Sequence, residues 1–263
     1  MKDTIAPQYR TLFENKRLNE FEQLWAANIP AVDAPNLERG GHSEVGLLEL
    51  DTPAGVQRFY VKRQTNHLGR SFKRPGGEPT FAREFRNIHR FARMGIPALS
   101  AAWYGERRGT DGWRAILVTP ALAGFEDLVA LHERWETIDA SSRQAIIASS
   151  ARLVRQLHRA RWMHGSLYAK HIFLKPTADG HYQAKFIDLE KARPMLYARR
   201  ERLRDLDVLM RRLPRWDYTV QHAFFAHYLD QDPTHPKVAQ WQRALAKRTT
   251  RKRTAQRGKA SRS

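Results

Sequence analysis

The spacing of apolar positions changes along the chain, and the change divides it. Two apolar-rich runs, residues 45–50 and 56–62, flank Thr52-Pro53-Ala54-Gly55. Turn-forming residues between such runs predict a β-hairpin. Phe81, Phe85, Ile88 and Phe91 then recur at helical spacing, which predicts a helix over residues 79–94. Pro79 suits its first turn, and Gly95 with Pro97 stops it. Residues 101–106 and 113–119 read as two further strands, and 120–124 as a connector. Ahead of the hairpin, residues 21–27 read as a short helix and Pro30, Pro35 and Asn36 mark a loop. The basic, glycine-bearing stretch 63–77 reads as another loop. Beyond the connector the pattern is mostly helical, over 144–161, 199–212 and 220–229, with short strands at 171–174 and 182–187 around the Asp179-Gly180 turn.

Composition narrows this picture. The chain has 263 residues, 41% of them hydrophobic, enough for one large domain or two lobes with a real core. No apolar run approaches the roughly 20 residues that span a bilayer. Met1-Lys2-Asp3-Thr4-Ile5 lacks an apolar signal segment. The absence of cysteine excludes disulfides and thiolate metal sites and suits a reducing compartment. The net charge of +19 points to a polyanionic neighbour: nucleic acid, an anionic membrane face or a phosphorylated ligand. Residues 247–263 alone carry eight Lys/Arg and no acid, with few apolar positions, and are expected to be disordered.

The chemistry-bearing residues suggest phosphoryl transfer. That reaction needs a glycine loop over phosphates, a lysine on them, a carboxylate holding the lysine, and acidic ligands for Mg²⁺. Gly40 and Gly41, in Arg39-Gly40-Gly41-His42-Ser43, are candidates for the loop, although a plain turn accounts for them equally well. Lys62 ends an apolar strand. Glu84 follows 22 residues later, on the inward face of the 79–94 helix, where a carboxylate without a partner would carry a heavy desolvation cost. Lysine after a hairpin and glutamate on the next helix is a kinase arrangement. His164-Gly165-Ser166-Leu167-Tyr168-Ala169-Lys170-His171 has the spacing of a kinase catalytic loop. Asp188, at the end of an apolar strand, is a hard oxygen donor suited to Mg²⁺. Asp205 either braces that loop from a helix or pairs with a surface cation.

These motifs resemble the lipopolysaccharide kinases, the WaaP/Kdo-kinase group, and within it the InaA-like branch. The likeness runs over about residues 37–230. It rests on Arg39-Gly40-Gly41, Val61-Lys62, Arg83-Glu84-Phe85, the His-x-x-x-Tyr-x-x-His-x-Phe pattern from His164 to Phe173, and Phe186-Ile187-Asp188-Leu189-Glu190-Lys191. The resemblance implies an α+β, two-lobed protein-kinase-like fold, with a small β-rich N-lobe and a mainly helical C-lobe. The expected divisions are an N-terminal extension (1–37), the N-lobe (38–119), the C-lobe (120–246) and a basic tail (247–263). It implies ATP and Mg²⁺ as cofactors and a heptose or Kdo sugar of the lipopolysaccharide core as acceptor. Carried over, Lys62 contacts the nucleotide phosphates and Glu84 orients it. Asp188 holds Mg²⁺, with His171 at a second metal-side position. His164 opens the catalytic loop, and Lys170 stands where an arginine supports the transferring phosphate in tyrosine-kinase-like loops.

Ser166 stands at the position of the catalytic carboxylate. Serine is no base at pH 7, and a general base is worth about 10²–10⁴-fold. Glu190 and Asp207 are candidates to replace it. Two readings therefore stay open. One is a phosphotransferase acting on a lipopolysaccharide core sugar or related anionic saccharide, cytoplasmic and peripheral on the inner membrane through basic surface. Lys191, Arg193, Arg199, Arg200, Arg202 and Arg204, after Asp188, favour such an anionic acceptor. The other is a pseudokinase that binds nucleotide or serves envelope-stress regulation. Nucleic acid ranks lower, because no helix-turn-helix, zinc or RNA-binding motif accompanies the charge.

Overall fold

A computed structural model describes residues 3–32, 34, 41–71 and 74–260. The chain forms two compact units, residues 1–93 with 98–123, and residues 94–97 with 124–263. The fold is protein-kinase-like. Among the described residues no helix is long and apolar enough to cross a membrane.

The first unit is built on a five-stranded antiparallel sheet. Its strands are β1 (Thr4–Ile5), β2 (His42–Thr52), β3 (Gly55–Thr65), β6 (Trp103–Gly109) and β7 (Gly112–Pro120), in the order β1-β6-β7-β3-β2. The predicted hairpin is present, and both its strands run longer than their apolar runs. Lys62 therefore lies inside β3 rather than at its end, paired with Val45 on one side and Leu117 on the other. Alternation along β3 assigns its two faces. Phe59 and Val61 are buried with Phe13, Phe21, Leu24, Trp103, Ile116 and Val118. Arg63, on the same face, donates to the carbonyls of Leu24 and Ala27. Lys62 and Gln64 point the other way, toward α3 (Thr80–Arg93).

Residues 1–37, expected to be an extension, pack onto this unit's sheet through β1 and two short helices. β1 pairs with β6, and α1 (Arg10–Asn15) and α2 (Phe21–Ala26) bury Phe13, Phe21 and Leu24 on the sheet. Arg107 fixes the entry through a two-pronged bond to Asp3, at 2.7 and 2.9 Å. The stretch expected as a loop after residue 62 is instead the end of β3 followed by a second hairpin, β4 (Leu68–Ser71) and β5 (Arg74–Pro79). Its weak apolar pattern hid these strands, because backbone pairing rather than burial of alternate side chains defines them.

The second unit is mainly helical. Its helices are α4 (Leu128–Glu133), α5 (Ala140–Arg159), α6 (Ala198–Met210), α7 (Tyr218–Leu229) and α8 (Pro236–Ala260). Three strands, β8 (Glu126–Asp127), β10 (Ile172–Pro176) and β11 (Tyr182–Phe186), form a sheet in the order β11-β10-β8. The ribbon of β9 (Trp162–Met163) and β12 (Arg193–Pro194) flanks the loop between β9 and β10. Asp139 caps α5 and Asp217 caps α7, each accepting a backbone N–H of the first turn at 2.9 Å. α5 buries Ile146, Ile147, Val154 and Leu157. The basic run from Lys247, expected to be disordered, continues α8 as far as Ala260. Val238 and Leu245 are buried on this helix, anchoring the part that precedes the basic run.

Candidate functional site

In the first unit the sequence-predicted lysine and glutamate meet. Lys62 Nζ donates to Glu84 Oε1 at 2.7 Å and to Oε2 at 3.0 Å, and the Phe81 ring centroid lies 5.9 Å from the ammonium. Glu84 is 1% exposed, so the ammonium compensates the cost of burying its charge. Sequence reading missed the residue that sets this geometry. Gln64 is buried on the same face of β3; its Oε1 accepts from Thr80 Oγ1 and Phe81 N, each at 3.0 Å, and its Nε2 donates to His67 O. It acts as an N-terminal cap delivered by a strand, and thereby fixes where α3 starts and where Glu84 lands. A glutamine two residues beyond Lys62, and so on the same face of the strand, was the available signal.

Gly40 lies outside the described residues. Gly41 precedes β2, and a Cβ there would sit 2.4 Å from the Asn66 carbonyl carbon and the His67 nitrogen. Close backbone approach therefore requires glycine at this position.

In the second unit the loop from His164 to His171 is held from α6. Asp205 is 1% exposed; its carboxylate accepts from His164 N at 2.7 Å and Gly165 N at 3.1 Å. Asp205 is thus the brace, not a surface ion-pair partner. His158, on α5, lies 3.4 Å from Asp205 through Nε2 and 2.8 Å from the Tyr228 hydroxyl through Nδ1. This α5–α6–α7 network also escaped sequence reading. Its signal was a histidine in an otherwise apolar helical stripe. Gly165 has φ +78°, and a Cβ there would sit 2.5 Å from Lys191 O, so both conformation and space demand glycine.

The loop brings four of the predicted residues together. His164 Nε2 donates to Ile187 O at 3.0 Å, and its ring stacks on His171 at 5.8 Å. His171 Nδ1 donates to Ser166 O at 2.9 Å, while its Nε2 lies 3.3 Å from Asp188 Oδ2. Asp188 has φ +55°, a left-handed conformation that non-glycine residues adopt at a cost and that concentrates at functional sites. Ser166 is buried and Lys170 is exposed in the short turn before β10. Of the candidates to replace the missing carboxylate, Asp207 faces α8. It accepts from Thr249 Oγ1 at 2.9 Å and lies 3.6 Å from Arg248 Nε. Glu190 sits in the turn two residues after Asp188.

Burial pushes the His171 imidazole down to about 4, against the opposing pull of Asp188. The contact with Asp188 is therefore no ion pair at neutral pH. With Nδ1–H given to Ser166 O, Nε2 carries a lone pair facing a carboxylate oxygen. Two acceptors facing each other suit a shared cation. Mg²⁺ is held by one or two carboxylates and takes its remaining ligands from phosphate and water, so the donor set fits it, although imidazole is a softer donor than an amide oxygen. No cluster of three or more His, Cys, Asp or Glu suited to a metal occurs among the described residues.

Burial also lowers the proton affinity of His158 and His164. All three imidazoles bind a proton less readily folded than unfolded. Their stabilisation is fully present above about pH 6.5 and is lost as pH falls toward the folded values. His171 alone accounts for about 3 kcal/mol across that window, from about 6.5 to about 4. Urea unfolding from pH 7.5 down to pH 4.5 should show stability falling more steeply in the parent than in His171→Asn. Parallel profiles would contradict this assignment.

The family model described as lipopolysaccharide kinase (Kdo/WaaP) family matches residues 22–228. Protein InaA of Escherichia coli strain K12 is 32% identical over 217 residues, which cover 80% of this chain and 96% of that protein. The lipopolysaccharide core heptose(I) kinase WaaP of Pseudomonas aeruginosa is 32% identical over 116 residues, 41% of this chain and 43% of that one. Among solved structures, WaaP in complex with acyl carrier protein superposes with a TM-score of 0.67 at 21% identity, over 95% of this chain and 99% of that chain. That likeness is one of fold.

Proposed function

The chain belongs to the lipopolysaccharide kinase (Kdo/WaaP) family, and from that membership we propose an ATP-dependent phosphotransferase acting on a lipopolysaccharide core sugar, heptose or Kdo, or a related anionic saccharide. The observation that carries this reading is the Asp188–His171 pair, held in place by a loop whose backbone Asp205 fixes. In this reading Lys62 binds the nucleotide phosphates and Glu84 keeps its ammonium in place. Asp188, with His171 beside it, holds Mg²⁺, which when bound neutralises charge on the transferring phosphoryl group. The acceptor oxygen forms a bond to the γ-phosphorus as the bond to the β–γ bridging oxygen breaks, and ADP departs. The acceptor's proton leaves late, to solvent, because the transition state is loose and needs little proton abstraction. Ser166 then makes the enzyme slow without disabling it. Lys170, exposed at the loop's end, supports the transferring phosphate. Basic surface holds the protein at the anionic face of the inner membrane, where such an acceptor resides.

Labelled ATP with Mg²⁺ and deacylated lipopolysaccharide core tests the reading. The parent should transfer slowly, and Ser166→Asp should raise kcat by about 10²-fold, the scale of a restored general base. Nucleotide binding without transfer in both proteins would instead establish a pseudokinase, and the burial of Ser166 is the feature that favours that outcome. Failure to bind ATP would remove both readings.

A further inference from the structure

The second unit carries a cationic groove that no catalytic step uses. It lies between α6 and α8. Arg199, Arg200, Lys247, Arg248 and Arg251 line a cavity of about 630 Å³ together with two apolar side chains and no acid. Five cations without a carboxylate among them create a field that favours an anion. Arg248 is steadied from behind by the buried Asp207, so this wall of the groove is a fixed feature.

A second cavity, of about 520 Å³, shares Arg200 and Arg248 with the first and is edged by Leu196 and Tyr197. These two are 76% and 69% exposed. They are displayed by a built anchor. Glu201 Oε2 accepts from Leu196 N at 2.7 Å and Tyr197 N at 2.8 Å, and its Oε1 pairs with Arg193 at 2.6 Å. An adjacent aliphatic and phenolic pair, held outward beside a row of cations, gains most at the boundary between headgroups and acyl chains. A nucleic-acid surface would instead call for cations tracking a backbone beside aromatic stacking platforms.

We propose that this face docks on an anionic phospholipid bilayer, with the groove cations taking headgroup phosphates and Leu196 and Tyr197 entering the interface. The proposal deepens the reading above, since a lipopolysaccharide acceptor is itself a membrane lipid. It also gives α8 a role, as one wall of the docking groove.

Vesicle co-sedimentation of the full chain tests it, with phosphatidylcholine alone and with phosphatidylcholine plus phosphatidylglycerol. The parent should bind only the anionic vesicles. Each basic residue at such a surface is worth about fivefold. The triple variant Arg199→Ala/Arg200→Ala/Lys247→Ala should therefore bind about a hundredfold more weakly. Leu196→Ser/Tyr197→Ser should weaken binding about tenfold, and this loss should persist at high salt, where the groove contribution fades. A charge-matched control in the first unit, Arg10→Ala/Lys16→Ala/Arg93→Ala, should bind like the parent. Equal loss in the control, or parent binding to duplex DNA or an acidic carrier protein in preference to vesicles, would overturn the proposal. Transfer to the soluble, deacylated core should be unchanged in Leu196→Ser/Tyr197→Ser. Groove-dependent vesicle binding without any transfer would support the docking while removing the catalytic reading. Transfer without vesicle binding would do the reverse.

Discussion

Asp188→Asn should reduce phosphate transfer by about a thousandfold or more while leaving the fold intact. Asn is chosen because Asp188 sits at φ +55°, where Asn is tolerated and alanine is strained. The amide keeps the shape of the side chain, and its NH₂ can donate to the lone pair on His171 Nε2, so the local contact survives. What disappears is the negative charge that would hold Mg²⁺ against the phosphates. Removing an electrostatic group that acts on charge developing in the transition state typically costs about 10²–10³ in kcat, and a metal ligand lies at or above the upper end. Initial rates at saturating ATP, with thermal unfolding as a control for folding, check this. Undiminished transfer by Asp188→Asn would remove Asp188 from the mechanism.

Asp205→Ala should strongly destabilise the second unit. The carboxylate accepts two buried backbone N–H groups and lies 3.4 Å from His158. Alanine leaves both donors without an acceptor, at about 1–3 kcal/mol each. A total loss of about 3–5 kcal/mol lowers the melting temperature by about 10 °C or more for a chain of this size. Asp205→Asn retains one acceptor oxygen and should fall between parent and alanine. Hydrogen exchange is the sharper measurement, because the amides of His164 and Gly165 should lose protection well before those of α5. Unchanged protection at these two amides in Asp205→Ala would show that the loop is held by something else.

Much of this could be read before folding was considered. The first hairpin, α3, the strands after it and helices α5, α6 and α7 appear as periodicity, because each depends on neighbours a few residues apart. Glu84 was legible because helical spacing assigns it an inward face where its charge needs a partner, and Lys62 because a lysine after a hairpin and a glutamate on the next helix form a kinase arrangement. The hairpin of β4 and β5 and the start of β2 were not legible, since few alternating apolar side chains mark them. The basic run after Lys247 read as disorder because its charge outweighs its local apolar content, yet it continues a helix anchored upstream by Val238 and Leu245.

The sequence alone determined the candidate chemistry: the lysine, the glutamate, the His164 loop with serine at its carboxylate position, and Asp188. Only the tertiary structure decided how that chemistry is held. Asp205 is 41 residues from His164, Tyr228 is 70 from His158, and Thr249 is 42 from Asp207. No local pattern encodes such pairings. They exist because a buried polar group must find a partner wherever packing brings one, and packing is a property of the whole chain.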